Sequence, residues 1–430
     1  MSDALPIPSD PDLDRYEKLA EGLERASRSA DPGAMGDWAV GWLETLARLE
    51  GADPVATERR AAIAHEARRI QERWRIFIDD TDRHARCLLS DAQLFVAREH
   101  GFNSWPTFAS HIEALKRPES AVSAFEAAVD AIVAGDAATL ARLLRERPEL
   151  VRARSTRDHR STLLHYVSAN GVEDFRQITP SNIVEITRIL LEAGADVNAT
   201  SDAYGGGSTA LGLAATSLHP QRAGVQIALL EMLLGHGARI EQDDGAAITG
   251  CLANGQPEAA RYLASRGAVL NLEGAAGLGR LDVVRTYFGD GNAPVRPTAA
   301  QLAGGFLNAC GYGHVDVVRF LLERGVDPDV RNRANECGLH WASFGPHPEV
   351  ARLLLNRQAA IDVRDDVHKG TPLDWVLFSW AKAEGVWRER GYEMVNLLVR
   401  AGAEVETPWL ESHKVQRDSR MLEILRGRAV

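Results

Sequence analysis

The chain is 430 residues long, 45 % hydrophobic, 25 % charged and only 6 % aromatic, and its 49 Lys and Arg against 60 Asp and Glu leave a net charge of −11. That length allows two or more domains or one extended array, and the acidity speaks against a whole-chain role in coating nucleic acid or acidic membranes. Four scattered cysteines (Cys87, Cys251, Cys310, Cys337) without a CxxC pair, and the lack of any apolar leader or span, predict a cytoplasmic protein with neither a disulfide framework nor a cysteine zinc site.

From the amino terminus, apolar positions recur at helical spacing over Leu13–Ala26, Met35–Leu49, Thr57–Ile78 and Ser90–Glu99. Ser104-Trp105-Pro106 opens a further helix to Leu115, with Ser as N-cap and Pro in the first turn. Residues 1–118 are expected to form a helical domain. The Arg-rich helix within it (Arg59, Arg60, Arg68, Arg69, Arg73, Arg75) also carries Glu58, Glu66 and Glu72 at offsets that neutralise its face. The segment after Gly101 has few bases to grip phosphates, so no nucleic-acid partner is expected.

Past residue 118 the glycines fall into a pattern. LLEAGADVNA (Leu190–Ala199), LLGHGARI (Leu233–Ile240), YLASRGAVLN (Tyr262–Asn271), LLERGVDPDV (Leu321–Val330), LLNRQAAIDV (Leu354–Val363) and LLVRAGAEVE (Leu397–Glu406) repeat one phrase. The helix stops are Gly194, Gly237, Gly267, Gly291, Gly325, Gln358 and Gly402, where glycine supplies a left-handed residue without a Cβ clash. Upstream of these stops, STLLHYVSANG (Ser161–Gly171), STALGLAATS (Ser208–Ser217), CGLHWASFG (Cys337–Gly345) and GTPLDWVL (Gly370–Leu377) each open a helix. These phrases together resemble the ankyrin repeat, with its TPLHxAA opening, GH turn, Gly-Ala stop and period of about 33 residues. The resemblance implies an all-α fold: an ankyrin solenoid of about eight helix–turn–helix units over 123–406, and a capping helix over 407–430. Asp91–Leu115 is similar to a leader found ahead of such arrays in bacterial proteins.

Three units are expanded between their two helices: Val172–Asn182, Leu218–Gln226 and Ala381–Glu393. Insertions of this kind are cheap in loop entropy and often build a binding face. A triple glycine follows Tyr204 where a finger loop is expected. Aligning the units on TPLHxAA gives a His column (including His165, Glu273, Leu307, His340 and Asp374) and a following column (including Tyr166, Gly250, Gly274, Asn308, Trp341 and Trp375). Gly250 and Gly274 could floor a recess walled by Tyr166, Trp341 and Trp375, with Tyr204, Glu273, Asn308, His340 and Asp374 supplying polar groups. An enzyme built there would use His340 as general base or acid, Asp374 as its orienter and Glu273 as a second acid. The same His340–Asp374 spacing equally describes a structural bond between neighbouring repeats. No GxSxG elbow and no HExxH is present, so neither a cofactor nor a metal is expected.

Two functions remain in competition. The first is a non-enzymatic module that binds a partner protein, one with basic patches given the chain's acidity, on its concave face and finger loops. The second is a small-molecule binder or cofactor-independent enzyme using the recess. Neither predicts a membrane role, and the oligomeric state is open.

Overall fold

The computed structural model describes residues 4–80, 87–240, 244–288 and 297–427. The predicted stop at Gly291 lies outside them. The chain packs as two compact units, Met1–Arg239 and Ile240–Val430.

The first unit begins with helices Leu13–Ser27, Ala34–Leu49, Thr57–Asp80, Leu89–Glu99 and Trp105–Leu115. Each buries one stripe, and Leu23, Trp42, Ile70, Trp74, Phe95, Phe108 and Ile112 meet in one apolar core. Ser104 caps the fifth helix as its sequence predicts, its hydroxyl accepting from the Thr107 N–H. Three helix pairs follow: Ala121–Ala134 with Ala137–Glu146, Leu163–Tyr166 with Ile183–Glu192, and Ala210–Thr216 with Gln226–Gly235. A hairpin of Thr200–Ser201 against Ser208–Thr209 precedes the third pair.

The expanded turn of the second pair does more than decorate a surface. It carries Glu173 and Arg176 into a buried ionic cluster with Glu126 of the first pair and Arg157 of the preceding loop. Arg157 pairs with Glu126 at 2.8 Å and Glu173 at 2.9 Å, and Arg176 with Glu126 at 2.6 Å and the exposed Asp130 at 2.7 Å. Burial alone would neutralise Glu173, but Arg157, then His159 and Arg176, outweigh it and hold its carboxyl well below the usual carboxylate range. Two of the four cluster members, Glu173 and Arg176, thus come from the Val172–Asn182 insertion.

The second unit stacks five pairs: Ala246–Ala253 with Pro257–Ser265, Leu272–Gly277 with Leu281–Thr286, Ala299–Gly311 with Val315–Glu323, Gly338–Phe344 with Pro348–Asn356, and Pro372–Trp380 with Gly385–Arg400. Phe306, Val318, Leu321, Leu339, Leu354, Val376, Trp380, Val395 and Leu398 share one core along the stack. Each such side chain contributes about 1.5–3 kcal/mol that an isolated pair could not gain. Two expectations differ from the structure here. Most of the Ala381–Glu393 expansion lengthens the outer helix from Gly385 rather than forming a loop. The end of the chain forms three short helices, Thr407–Glu411, His413–Gln416 and Ser419–Leu425, because Ser412 and Asp418 each recap the chain in place of one continuing helix.

Helix punctuation follows the sequence pattern. Gly194, Gly237, Gly267, Gly325 and Gly402 all have positive φ, and Gln358 takes the same conformation at φ 62° despite its Cβ.

Candidate functional site

The TPLH-type phrase has a mechanical role. In CGLH the Cys337 N–H donates to His340 Nδ1 at 3.1 Å, which places the proton on Nε2, and Nε2 donates to the Gly370 carbonyl of the next unit at 3.1 Å. His165 repeats the arrangement, accepting from the Thr162 N–H and donating to the Ser208 carbonyl at 3.2 Å. Burial lowers the pKa of both rings, favouring the neutral form that this bonding needs. At the turns, His314 and His347 donate in the same way to the Gly277 and Gly311 carbonyls of the preceding units, at 3.0 and 2.9 Å.

Asp374 does not orient His340. Its Oδ2 accepts from the Thr371 N–H at 2.7 Å and hydroxyl at 2.9 Å, capping its own helix, and its Oδ1 accepts from the Trp409 indole at 2.6 Å. With both His340 nitrogens engaged and no His340–Asp374 hydrogen bond among the described residues, the arrangement lacks the free acceptor that a general base requires.

The expected recess divides into separate neighbourhoods. Tyr166 is fully buried in the first unit, its hydroxyl donating to Glu173 at 3.4 Å, so it walls the ionic cluster instead of an open recess. Tyr204 is 67 % exposed in the same unit and bonds Asn170 at 2.6 Å beside the open triple glycine. The other predicted residues lie in the second unit. A Cβ on Gly274 would stand 2.9 Å from Ile248, so that glycine serves close packing and floors no recess. Gly250 lies half-buried within Ala246–Ala253. Asn308 reaches back to the Glu273 carbonyl at 3.4 Å, and the Glu273 carboxyl lies against Gly304, where a Cβ would be 2.8 Å away. Trp341 packs over Gly311 and meets Trp375 edge-on at 5.8 Å.

Trp375 and Asp374 do line a groove, of about 380 Å³, over the last two helix pairs. Its aromatic members are Phe344, Trp375, Phe378 and Trp409, and its polar ones include His368, Lys369 and Glu406. Phe344 and Phe378 are 50 % and 51 % exposed. They stand four residues after His340 and Asp374, hence one helical turn on and three residues after Trp341 and Trp375, so each inner helix presents two aromatics on one face. Trp375 is fixed from beneath: its indole donates to Asp365 Oδ2 at 3.1 Å. Gly370 makes room for this contact, since a Cβ there would meet the indole at 3.2 Å and the carboxylate at 3.3 Å. Asp365 also accepts from the N–H groups of Val367, His368 and Gly370 at 2.6–2.9 Å. Burial opposes its ionisation, but these donors prevail and hold its pKa down to about 2. Residues Asp365–Gly370 therefore form an organised loop around one buried carboxylate.

The sequence matches the family of ankyrin repeats, in three copies, over residues 306–408. Residues 306–408 are ankyrin repeats. The three matched copies span the last three helix pairs, and the aromatic groove lies wholly on the final two and the segment just behind them. Phe344, Phe378 and Trp409 of the groove, and Asp365 beneath it, lie outside the two columns. For the two phenylalanines the signal was present, because the column three residues beyond Trp341 and Trp375 reads Gly277, Gly311, Phe344, Phe378 along the last four units. Among the described residues, no helix is long and apolar enough to cross a membrane.

Proposed function

We propose that this chain is a non-enzymatic protein-binding module, with an ankyrin array over 123–406 behind a helical domain of 1–118. Its inner-helix face over the last two repeats receives a segment of a partner protein. Ankyrin repeats generally mediate protein–protein interaction. The observation that carries the site is the pair Phe344 and Phe378, each half-exposed and lining one groove with the indoles of Trp375 and Trp409. Large aromatics left half in water at one place are the usual anchors of an interface. The bonding of His340 and Asp374 supports binding over catalysis, since both groups are committed to the scaffold.

Selection of a displayed library of random dodecamer peptides on the full chain tests this reading. Peptides enriched on the wild-type chain are expected to lose about tenfold or more in affinity on a Phe344→Ala/Phe378→Ala chain. The half-exposed rings make little core contact, so the melting temperature should move by no more than about 2 °C. Enriched peptides that bind the double variant as tightly as the wild type would remove the groove from the reading.

A further inference from the structure

The groove has a charge imbalance that the aromatic count alone does not reveal. Around it, Arg364 pairs with Glu406, and Lys369 with Asp366 at 3.6 Å. Two carboxylates are left with neutral donors only: Asp374, held by Thr371 and the Trp409 indole, and Asp365, held by three backbone N–H groups and the Trp375 indole. Among the described residues no cation lies within 4 Å of either. Each indole of the groove thus donates its N–H to a carboxylate that bonds no cation directly, although the Arg364 charge reaches Asp374 through space. Such a bond pushes electron density into the ring and makes its face more attractive to a cation.

The final repeat holds a simpler arginine–indole contact, in which the Trp380 N–H bonds no carboxylate. The Arg388 guanidinium lies 4.6 Å from the Trp380 ring centre and donates to Asp418 at 2.7 Å. There an arginine, an indole and a carboxylate meet within one chain. The groove has the indoles and the carboxylates, and the Phe378 ring beside them already has the Lys382 ammonium 3.8 Å from its centre. Among the described residues, no cation lies over the Trp375 or Trp409 ring.

We propose that the groove takes the guanidinium of an arginine on a partner peptide, stacked on the Trp375 and Trp409 indoles and drawn by the Asp365 and Asp374 carboxylates. Arginine fits better than lysine because its flat, weakly hydrated head can stack on an indole while its N–H fork faces a carboxylate. This rests on the groove being the binding face, and it adds the chemical class that the face selects.

The test uses two synthetic probes on the full chain, Ac-(Gly-Arg)4-NH2 and Ac-(Gly-Cit)4-NH2. Citrulline keeps the shape of arginine and loses its charge. Calorimetric titration should show the arginine peptide binding at least about tenfold more tightly, the scale of one or two desolvated cation–π contacts. Asp374→Asn should cut that preference to about threefold or less, and the Phe344→Ala/Phe378→Ala pair should weaken the arginine peptide. Equal binding of both peptides, each weakened by the phenylalanine pair, overturns the arginine inference and leaves the groove as a peptide site. An arginine preference that neither set of substitutions changes assigns the attraction to the chain's overall acidity, and overturns both the inference and the groove reading.

Discussion

Replacing Glu173 by Ala is expected to destabilise the first unit by about 3 kcal/mol, within the range for breaking a buried ion pair. Arg157 is only 2 % exposed and Arg176 is also buried, so the loss leaves two guanidinium groups sharing Glu126 and the exposed Asp130. Arg157 cannot shed its proton to escape, since guanidinium stays charged. For a unit of this size the melting temperature should fall by roughly 6–12 °C, read by circular dichroism. Asp130→Ala, removing the exposed partner, should cost no more than about 1 kcal/mol. The acid limb adds a sign. Because the folded Glu173 carboxyl sits below its unfolded value, its stabilisation is fully present above about pH 4.3 and is lost as the pH falls. Glu173→Ala should therefore flatten the loss of stability in acid. A substitution as mild as Asp130→Ala would mean that the cluster is a passive surface feature.

The second large effect is expected at Asp365, where Asp365→Ala strips the acceptor from three backbone N–H groups and the Trp375 indole at once. Buried donors left unpaired cost about 1–3 kcal/mol each, and water entering the opened loop recovers part of this, so about 3 kcal/mol is expected. Asp365→Asn should be little better. Its single oxygen replaces the acceptor on one side only, and its amide then faces donors on the other. Either change also frees Trp375, so peptide affinity at the groove should fall although Asp365 lies beneath it. The folded pKa of about 2 is depressed, so this stabilisation is complete above about pH 4 and lost between there and about pH 2. Urea titrations followed by tryptophan fluorescence at pH 7 and pH 3 check both statements. Equal stability of wild type and Asp365→Ala at pH 7 would show the loop to be solvated.

The repeat was legible because its signals are local. Gly-Ala stops, GH turns and TPLH-type phrases each act within one turn of helix, and Gln358 could be placed at a stop without being glycine. The groove was half legible. Asp374 emerged from the column of the TPLH histidine and Trp375 from the column after it, whereas Phe344 and Phe378 belong to a further column that matters only once the helix face is considered. Tyr166 and Gly274 misled for a shared reason. In a stacked array the same column position can face solvent in one unit and the core in another, according to whether Glu173 or Ile248 occupies the space opposite. The buried cluster was not legible, because charged residues in an insertion ordinarily lie in water and only the tertiary fold brings Glu126, Arg157, Glu173 and Arg176 together.

Hydroxyl-radical footprinting of the full chain, free and saturated with a peptide selected on it, tests the binding face most directly. The account predicts that oxidation of Phe344, Phe378, Trp375 and Trp409 falls several-fold on binding, while Trp387, 55 % exposed on the outer helix, and Tyr204 on its finger loop are unchanged. Protection at Trp387 or Tyr204, with the four groove rings oxidised as in the free chain, would contradict it.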